Sequence, residues 1–304
     1  MKAINIANRL IGPDQEPFVI AEMSGNHNNS LKRALEIVDA AAETGVDAIK
    51  LQTYTANTMT LDMDSADFLI DDPDSLWDKQ SLYNLYQQAY TPWEWHEEIF
   101  NRSREKGLIS FSSPFDASAV DFLESLNVPC YKIASFEITD MSLIRTVAKT
   151  GKPMIISTGL SNLDEIDEAV NFAKKNGAKD IALLYCVSSY PAKDDEFNLK
   201  NILILKKRYK CEIGFSDHSN NVEIAKTALS LGANIFEKHI ALKNQKKGFD
   251  IKFSLKGNEI SNYKKELIKT NKILGEGKFI RKKSELENLK FRRSIYAIKD
   301  ISKG

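Results

Sequence analysis

Eight short apolar runs recur along the chain, at 18–24, 47–53, 108–113, 130–135, 154–158, 181–187, 212–217 and 234–240, each breaking off in polar or charged residues. Continuous apolar runs of this length read as strands buried on both faces, the pattern of a parallel sheet. Helix-like spacing follows each one. After Ser30, a plausible N-cap, Leu31, Ala34, Leu35, Val38, Ala41 and Ala42 recur at helical intervals until Gly45 stops the helix. The unit repeats further on: Ser161 and Asp164 form a capping-box pattern ahead of Leu163, Ile166, Ala169, Val170 and Ala173, with Gly177 as the stop. Eight βα units predict an α/β protein of the (β/α)8 TIM-barrel class.

Three segments fall outside the repeat. Residues 3–10 and the turn-forming IGPDQEP, followed by Phe18, predict a β-hairpin that closes the bottom of the barrel. The stretch from Tyr54 to Tyr90 is too long for a connection without a role, and since it leaves the catalytic face we expect a partial lid. Past the eighth strand, 259–274 reads as a last helix. The barrel domain is then expected to span 1–280, with a polar linker at 281–291 and the alternating pattern of a new element at 292–304.

In a barrel all strand C-termini open onto one face, and here those ends read AEMSGNH, KLQT, SSPFD, YKIAS, ISTG, CVSSYP, FSDHS and EKH. His218 and His239 end consecutive strands, so the fold sets them side by side. Two imidazoles on a rigid rim leave coordination positions for water and substrate, as a catalytic divalent metal requires; for either histidine alone, hydrogen bonding would be the simpler account. His27 reads as structural and His96 as a packing residue. Lys50, Lys132 and the hydroxyls of Ser113, Ser135, Ser157 and Ser216 are the groups that hold a phosphate dianion. Among the carboxylates, Glu22 and Asp250 are candidates for acid–base work, while Asp217 and Glu237 are expected to pair with cations or orient ligands. Tyr190 either reaches a substrate hydroxyl or, with Pro191, makes a structural turn. Gln52 and Ser188 complete the substrate-facing set.

Charge changes the picture by exclusion. Of 304 residues, 42 are basic and 42 acidic, so no bulk field draws in nucleic acid or a membrane surface. The three cysteines, Cys130, Cys186 and Cys211, all lie inside apolar strand-like runs and read as buried free thiols of a reducing compartment. No apolar stretch approaches ~18 residues and the start lacks a signal-peptide core, which predicts a cytoplasmic protein.

Taken together these motifs resemble the sialic acid synthase (NeuB-like) family. The similarity runs from FVIAEMSGNHNNS through DAIKLQT, ISFSSPFD, YKIASFEITD, KTGKPMIISTG, YCVSSYPA, IGFSDHS and IFEKHI to RRSIYAIKDISKG. The resemblance implies an enzyme that condenses phosphoenolpyruvate with an N-acylated amino sugar. It implies a divalent metal on His218 and His239, manganese first with magnesium or cobalt as alternatives. Phosphoenolpyruvate would be held by Lys50, Ser113, Lys132, Ser135, Ser157 and Ser216, and Glu22 would meet the sugar. The segment SLWD…LYNLYQQAYTPWEWH is most similar to pseudaminic acid synthases, which take a 2,4-diacetamido-2,4,6-trideoxy sugar; N-acetylneuraminate or legionaminate synthesis is the alternative, and a catalytically silent binding barrel is the alternative of another class. Phe68, Leu69, Ile70 and Trp77 would stand near the sugar. Two departures touch the sugar end: GFDIKFS stands where the family often has GPDH, and Ser188 stands at the position that is often asparagine or serine. The family's small antifreeze-like (SAF) domain begins as 292–304 does, and swaps across a homodimer to lend an arginine to the partner's sugar pocket. With the chain stopping at Gly304, that domain is expected to be truncated and turnover poor.

Overall fold

Ala7 and Asn8 both adopt left-handed backbone, φ 49° and 67°, which turns β1 (Ile4–Ile6) back into antiparallel β2 (Arg9–Ile11). Ile6 and Ile11 are fully buried. Arg9 lies 3.4 Å from Asp47, the residue just ahead of the second barrel strand, so the hairpin seals the end of the barrel where strands begin. Asp47 also accepts the Val19 N–H at 2.9 Å and pairs with Lys264 at 2.9 Å, joining hairpin, first strands and last helix at that closed end.

The computed structural model describes residues 3–71, 77–190 and 192–304; Pro191 and the acidic 72–76 stretch of the insertion lie outside them. Eight parallel strands form the barrel: β3 (Phe18–Glu22), β4 (Ala48–Thr53), β5 (Ile109–Pro114), β6 (Tyr131–Ile133), β7 (Met154–Ser157), β8 (Ile181–Cys186), β9 (Glu212–Asp217) and β10 (Ile235–Ala241). They pair in sequence order, and β10 closes the ring on β3. A short β11 (Leu255–Lys256) adds to β10.

Helices α1 (Leu31–Glu43), α4 (His96–Glu105), α5 (Ala117–Ser125), α6 (Met141–Lys149), α7 (Leu163–Lys175), α8 (Asn201–Tyr209), α9 (Val222–Ser230) and α10 (Glu259–Leu274) follow the strands in turn. Each packs by one stripe. In α1 the buried residues are Ala34, Ile37, Val38 and Ala41, one face at helical spacing. The cap of α7 sits one residue later than the sequence suggests. Asn162 forms the box with Glu165, because the Ser161 hydroxyl donates instead to the Gly159 carbonyl.

Between β4 and α4 the insertion contributes α2 (Ala56–Met59) and α3 (Leu82–Ala89). His96 is buried and pairs with the Thr53 hydroxyl at 2.8 Å, anchoring the insertion's far end to β4. His27 is likewise buried against Thr91 at 3.1 Å. Cys130 and Cys186 are buried free thiols, but Cys211 is only half-buried because β9 starts one residue beyond it. No helix among the described residues is long and apolar enough to cross a membrane.

Residues 274–304 form a second unit. It contains a 3-10 segment, Lys283–Phe291, and no strand at 292–304. An alternating segment needs a neighbouring strand to complete its ladder, and this unit supplies none.

Candidate active site

Barrel register decides which side chains meet. His239, Glu22 and Lys50 occupy matched positions on β10, β3 and β4, and Ser216 on β9 is matched with Glu237 on β10. Since alternate residues of a strand face alternate sides, Glu237 and His239 face the barrel axis while Lys238 between them faces the helices. The result is a cavity of about 510 Å³ at the open end, lined by Lys50, Gln52, Lys132, Ser135, Glu137, Ser157, Ser188, Tyr190, Ser216, His218, Glu237, His239 and Asp250.

Its floor is a buried charge cluster. Lys50 lies 2.6 Å from Glu22 and 3.7 Å from Glu237, and Lys132 lies 3.4 Å from Glu237. Ser216 donates to Glu237 at 3.2 Å. Burial opposes every charge here, and partners decide the outcome. Burial would raise the Glu237 carboxyl, yet Lys132 and Lys50 together hold it well below the usual range. Burial depresses Lys132 more than Glu237 restores it, while for Lys50 two carboxylates outweigh burial and push it up. Glu22 is raised because burial exceeds the pull of Lys50. An anion placed above this floor meets two ammonium groups held in place by carboxylates, in a chain with no net charge. The buried hydroxyl of Ser157 and Oε2 of Glu237 have no hydrogen-bond partner among the described residues, so the floor has spare polar capacity.

Two predicted residues stand behind the pocket surface. Glu22 accepts from the Ser24 N–H at 3.0 Å and otherwise addresses Lys50; Ser113 accepts from Lys50 at 3.2 Å. Both orient Lys50 and neither lines the cavity. Asp217 faces away, within 3.6 Å of Lys238, whose ammonium also donates to the carbonyls of Asp217 and Ser219 and so grips both neighbours of His218.

Higher up, the His218 and His239 rings are 5.7 Å apart. His218 Nδ1 faces the Val187 carbonyl at 3.0 Å and must donate to it, which leaves the Nε2 lone pair free. Burial, with His239 nearby, pushes His218 down to about 3, so it is neutral, as a metal ligand must be. His239 Nδ1 and Asp250 Oδ2 stand 3.3 Å apart without hydrogen-bond alignment, both buried and otherwise without a partner among the described residues. Among the described residues no three histidine, cysteine or carboxylate groups converge on one point. The pair with its unsatisfied atoms fits a divalent cation that takes its other ligands from water or substrate. Phe253 is buried edge-on against both imidazoles, at 4.9 Å from His239 and 5.9 Å from His218, and touches Tyr190 at 5.2 Å.

In the same cavity, Met59, Ile70, Trp77, Leu82, Leu85 and Tyr86 of the insertion form an apolar wall. Phe68 and Leu69, expected there, do not reach it: Leu69 pairs across to Ser81 and is 42% exposed. Sequence reasoning missed Glu137. Burial raises its carboxyl to about 7, and its Oε2 lacks a hydrogen-bond partner among the described residues. Its signal was its place two residues after Ser135, at a strand end already rich in candidates.

A model of the NeuB family matches residues 37–279, most of the barrel. The chain belongs to the NeuB family. Relatives within it include the pseudaminic acid synthase of Campylobacter jejuni, 42% identical over 291 residues, covering 96% of this chain and 84% of that protein. The pseudaminic acid synthase of Helicobacter pylori is 41% identical and covers 95% of this chain and 85% of its own length. The crystal structure of N-acetylneuraminic acid (sialic acid) synthetase from Leptospira borgpetersenii superposes with a TM-score of 0.86 at 32% identity, covering 96% of both chains. NeuB membership and the closed eight-stranded barrel therefore agree.

Proposed function

We propose that this chain condenses phosphoenolpyruvate with a 2,4-diacetamido-2,4,6-trideoxy hexose, giving pseudaminic acid and inorganic phosphate. The observation that carries the reading is the juxtaposition of two buried lysines among strand-end hydroxyls with a histidine pair above and an apolar wall beside them. Lys50 and Lys132, with Ser135, Ser157 and Ser216, hold the phosphate and carboxylate of phosphoenolpyruvate. Gln52, Ser188, Tyr190 and Asp250 address the sugar's polar groups. The wall at Met59, Ile70 and Leu85 suits the methyl group of a 6-deoxy sugar.

A divalent metal, manganese first, held by His218 and His239, supplies Lewis-acid polarisation of the sugar aldehyde when bound. The enol carbon of phosphoenolpyruvate attacks that aldehyde carbon, water adds to the resulting cationic C2, and the C–O bond to phosphate breaks with its electron pair leaving on phosphate. Lys132 stabilises the charge that develops on the departing group. Glu137, whose proton is exchangeable near neutral pH, moves protons at this step, and Glu22 keeps Lys50 charged and in place. The half-buried and buried free thiols suit a cytoplasmic enzyme, and the resemblance adds a homodimer.

The test is incubation with phosphoenolpyruvate, Mn²⁺ and a panel of amino sugars, with products read by mass spectrometry. Pseudaminic acid is expected, and His218→Ala should abolish both turnover and Mn²⁺ binding. Product from N-acetylmannosamine at equal or better kcat/KM would move the assignment to N-acetylneuraminate synthesis. Absence of product from every sugar would leave a binding barrel.

A further inference from the structure

Strand register explains where the floor residues lie, but not Asp250, which sits on the loop after β10. That loop is held by one residue from the other end of the chain. Asn26, fully buried in the turn after β3, donates from Nδ2 to the Ile240 carbonyl at 2.8 Å and to Ser254 Oγ at 2.9 Å. Its Oδ1 accepts the Asp250 N–H at 3.2 Å, and its own carbonyl accepts from Gln245 Nε2 at 2.7 Å. Ser254 Oγ in turn donates to the Asp250 carbonyl at 2.6 Å. Both peptide groups flanking the Asp250 side chain thus end on the Asn26–Ser254 pair.

A primary amide of this length is what the place requires. Aspartate lacks the two donors, serine has one, and glutamine is a methylene too long for a fully buried position. Gly248 completes the fit, since a Cβ there would stand 2.6 Å from Asn26 Oδ1, an atom already fixed by its bond to Asp250.

We propose that Asn26 is a positioning residue that sets the Asp250 carboxylate against His239 by holding the backbone on both sides of Asp250. This rests on the synthase reading above, in which His239 and Asp250 face the reacting groups. Partners one layer out from a metal ligand typically change affinity or activity by about 10- to 100-fold when removed.

The experiment compares the full chain with Asn26→Ala, Asp250→Asn, the double variant and Gly248→Ala. It measures Mn²⁺ dissociation constants by electron paramagnetic resonance, kcat and KM, and amide hydrogen exchange over 245–254. Asn26→Ala should speed exchange across that loop and weaken Mn²⁺ binding or kcat/KM about 10- to 100-fold, yet cost less than about threefold once Asp250 is already asparagine, by the non-additivity of coupled sites. Gly248→Ala, the milder change, should show the same coupling. Losses that multiply in the double variant would mark Asn26 as merely structural and overturn the proposal. Should the wild type neither bind Mn²⁺ nor turn over any sugar, the synthase reading falls on its own, and unchanged exchange over 245–254 in Asn26→Ala would still overturn the role of Asn26.

Discussion

Replacing Glu237 by glutamine removes the one carboxylate shared by both floor lysines while keeping its shape. At an effective dielectric of about 20, the contacts at 3.4 Å and 3.7 Å correspond to roughly 5 and 4.5 kcal/mol of gross attraction. Much of that offsets the cost of burying the ions, and removing one partner of a buried pair leaves a net loss of about 3–5 kcal/mol. Lys50 keeps Glu22 at 2.6 Å, whereas Lys132 loses its ion-pair partner, so the damage centres on Lys132. For a chain of this size the melting temperature should fall by roughly 5–8 °C. Phosphoenolpyruvate brings its own negative charge to the same place, so it should restore more stability in Glu237→Gln than in the wild type, where the lysines are already paired. Differential scanning fluorimetry with and without saturating phosphoenolpyruvate reads both effects. An unchanged melting temperature, or an equal ligand-induced shift in the two proteins, would refute the account of the floor as a charge cluster awaiting an anion.

Glu137, raised to about 7 by burial, keeps its proton in the folded chain over a pH range where the unfolded chain has lost it, so folding takes up a proton and stability falls as pH rises towards 7. Glu137→Gln removes that loss, and its melting temperature should gain on the wild type between about pH 5 and 8; parallel curves would contradict the burial. Asp47→Ala strips an acceptor from Val19 N–H, Arg9 and Lys264 at the closed end, which should cost about 2–3 kcal/mol by denaturant unfolding with kcat per folded molecule unchanged. A loss of activity without a loss of stability would show that this end reaches the site. Leu85→Ser should lower kcat/KM for the 6-deoxy sugar about tenfold and spare a 6-hydroxy analogue; equal losses would show that the wall does not read the methyl group.

The barrel was legible because its strands are buried on both faces and so appear as uninterrupted apolar runs, and because strand ends are where a polar residue can follow without disturbing the core. That is why Lys50, Lys132, Ser157, Ser216 and both histidines could be picked out and are brought together. Facing direction was harder: Glu22 and Ser113 sit at the right height but behind Lys50, a distinction that depends on how the Lys50 side chain bends across its neighbours. Glu137, Phe253 and Asn26 were missed because their roles arise from loops whose paths no periodicity describes. In the insertion, apolar character alone did not separate Ile70, which turns inward, from Leu69, which faces out.

Along β9 and β10 neighbouring residues belong to different layers: Ser216, Glu237 and His239 face the cavity, while Asp217 and Lys238 lock together on the helix side. Deleting one residue from β10 would exchange those assignments, sending Lys238 into the cavity and Glu237 and His239 into the helical shell, and a deletion in β9 would likewise exchange Asp217 with Ser216. These two strands therefore admit substitution but no change of length. Chemical novelty in such a barrel has to come from outside these strands, as through the insertion after β4, which supplies the apolar wall.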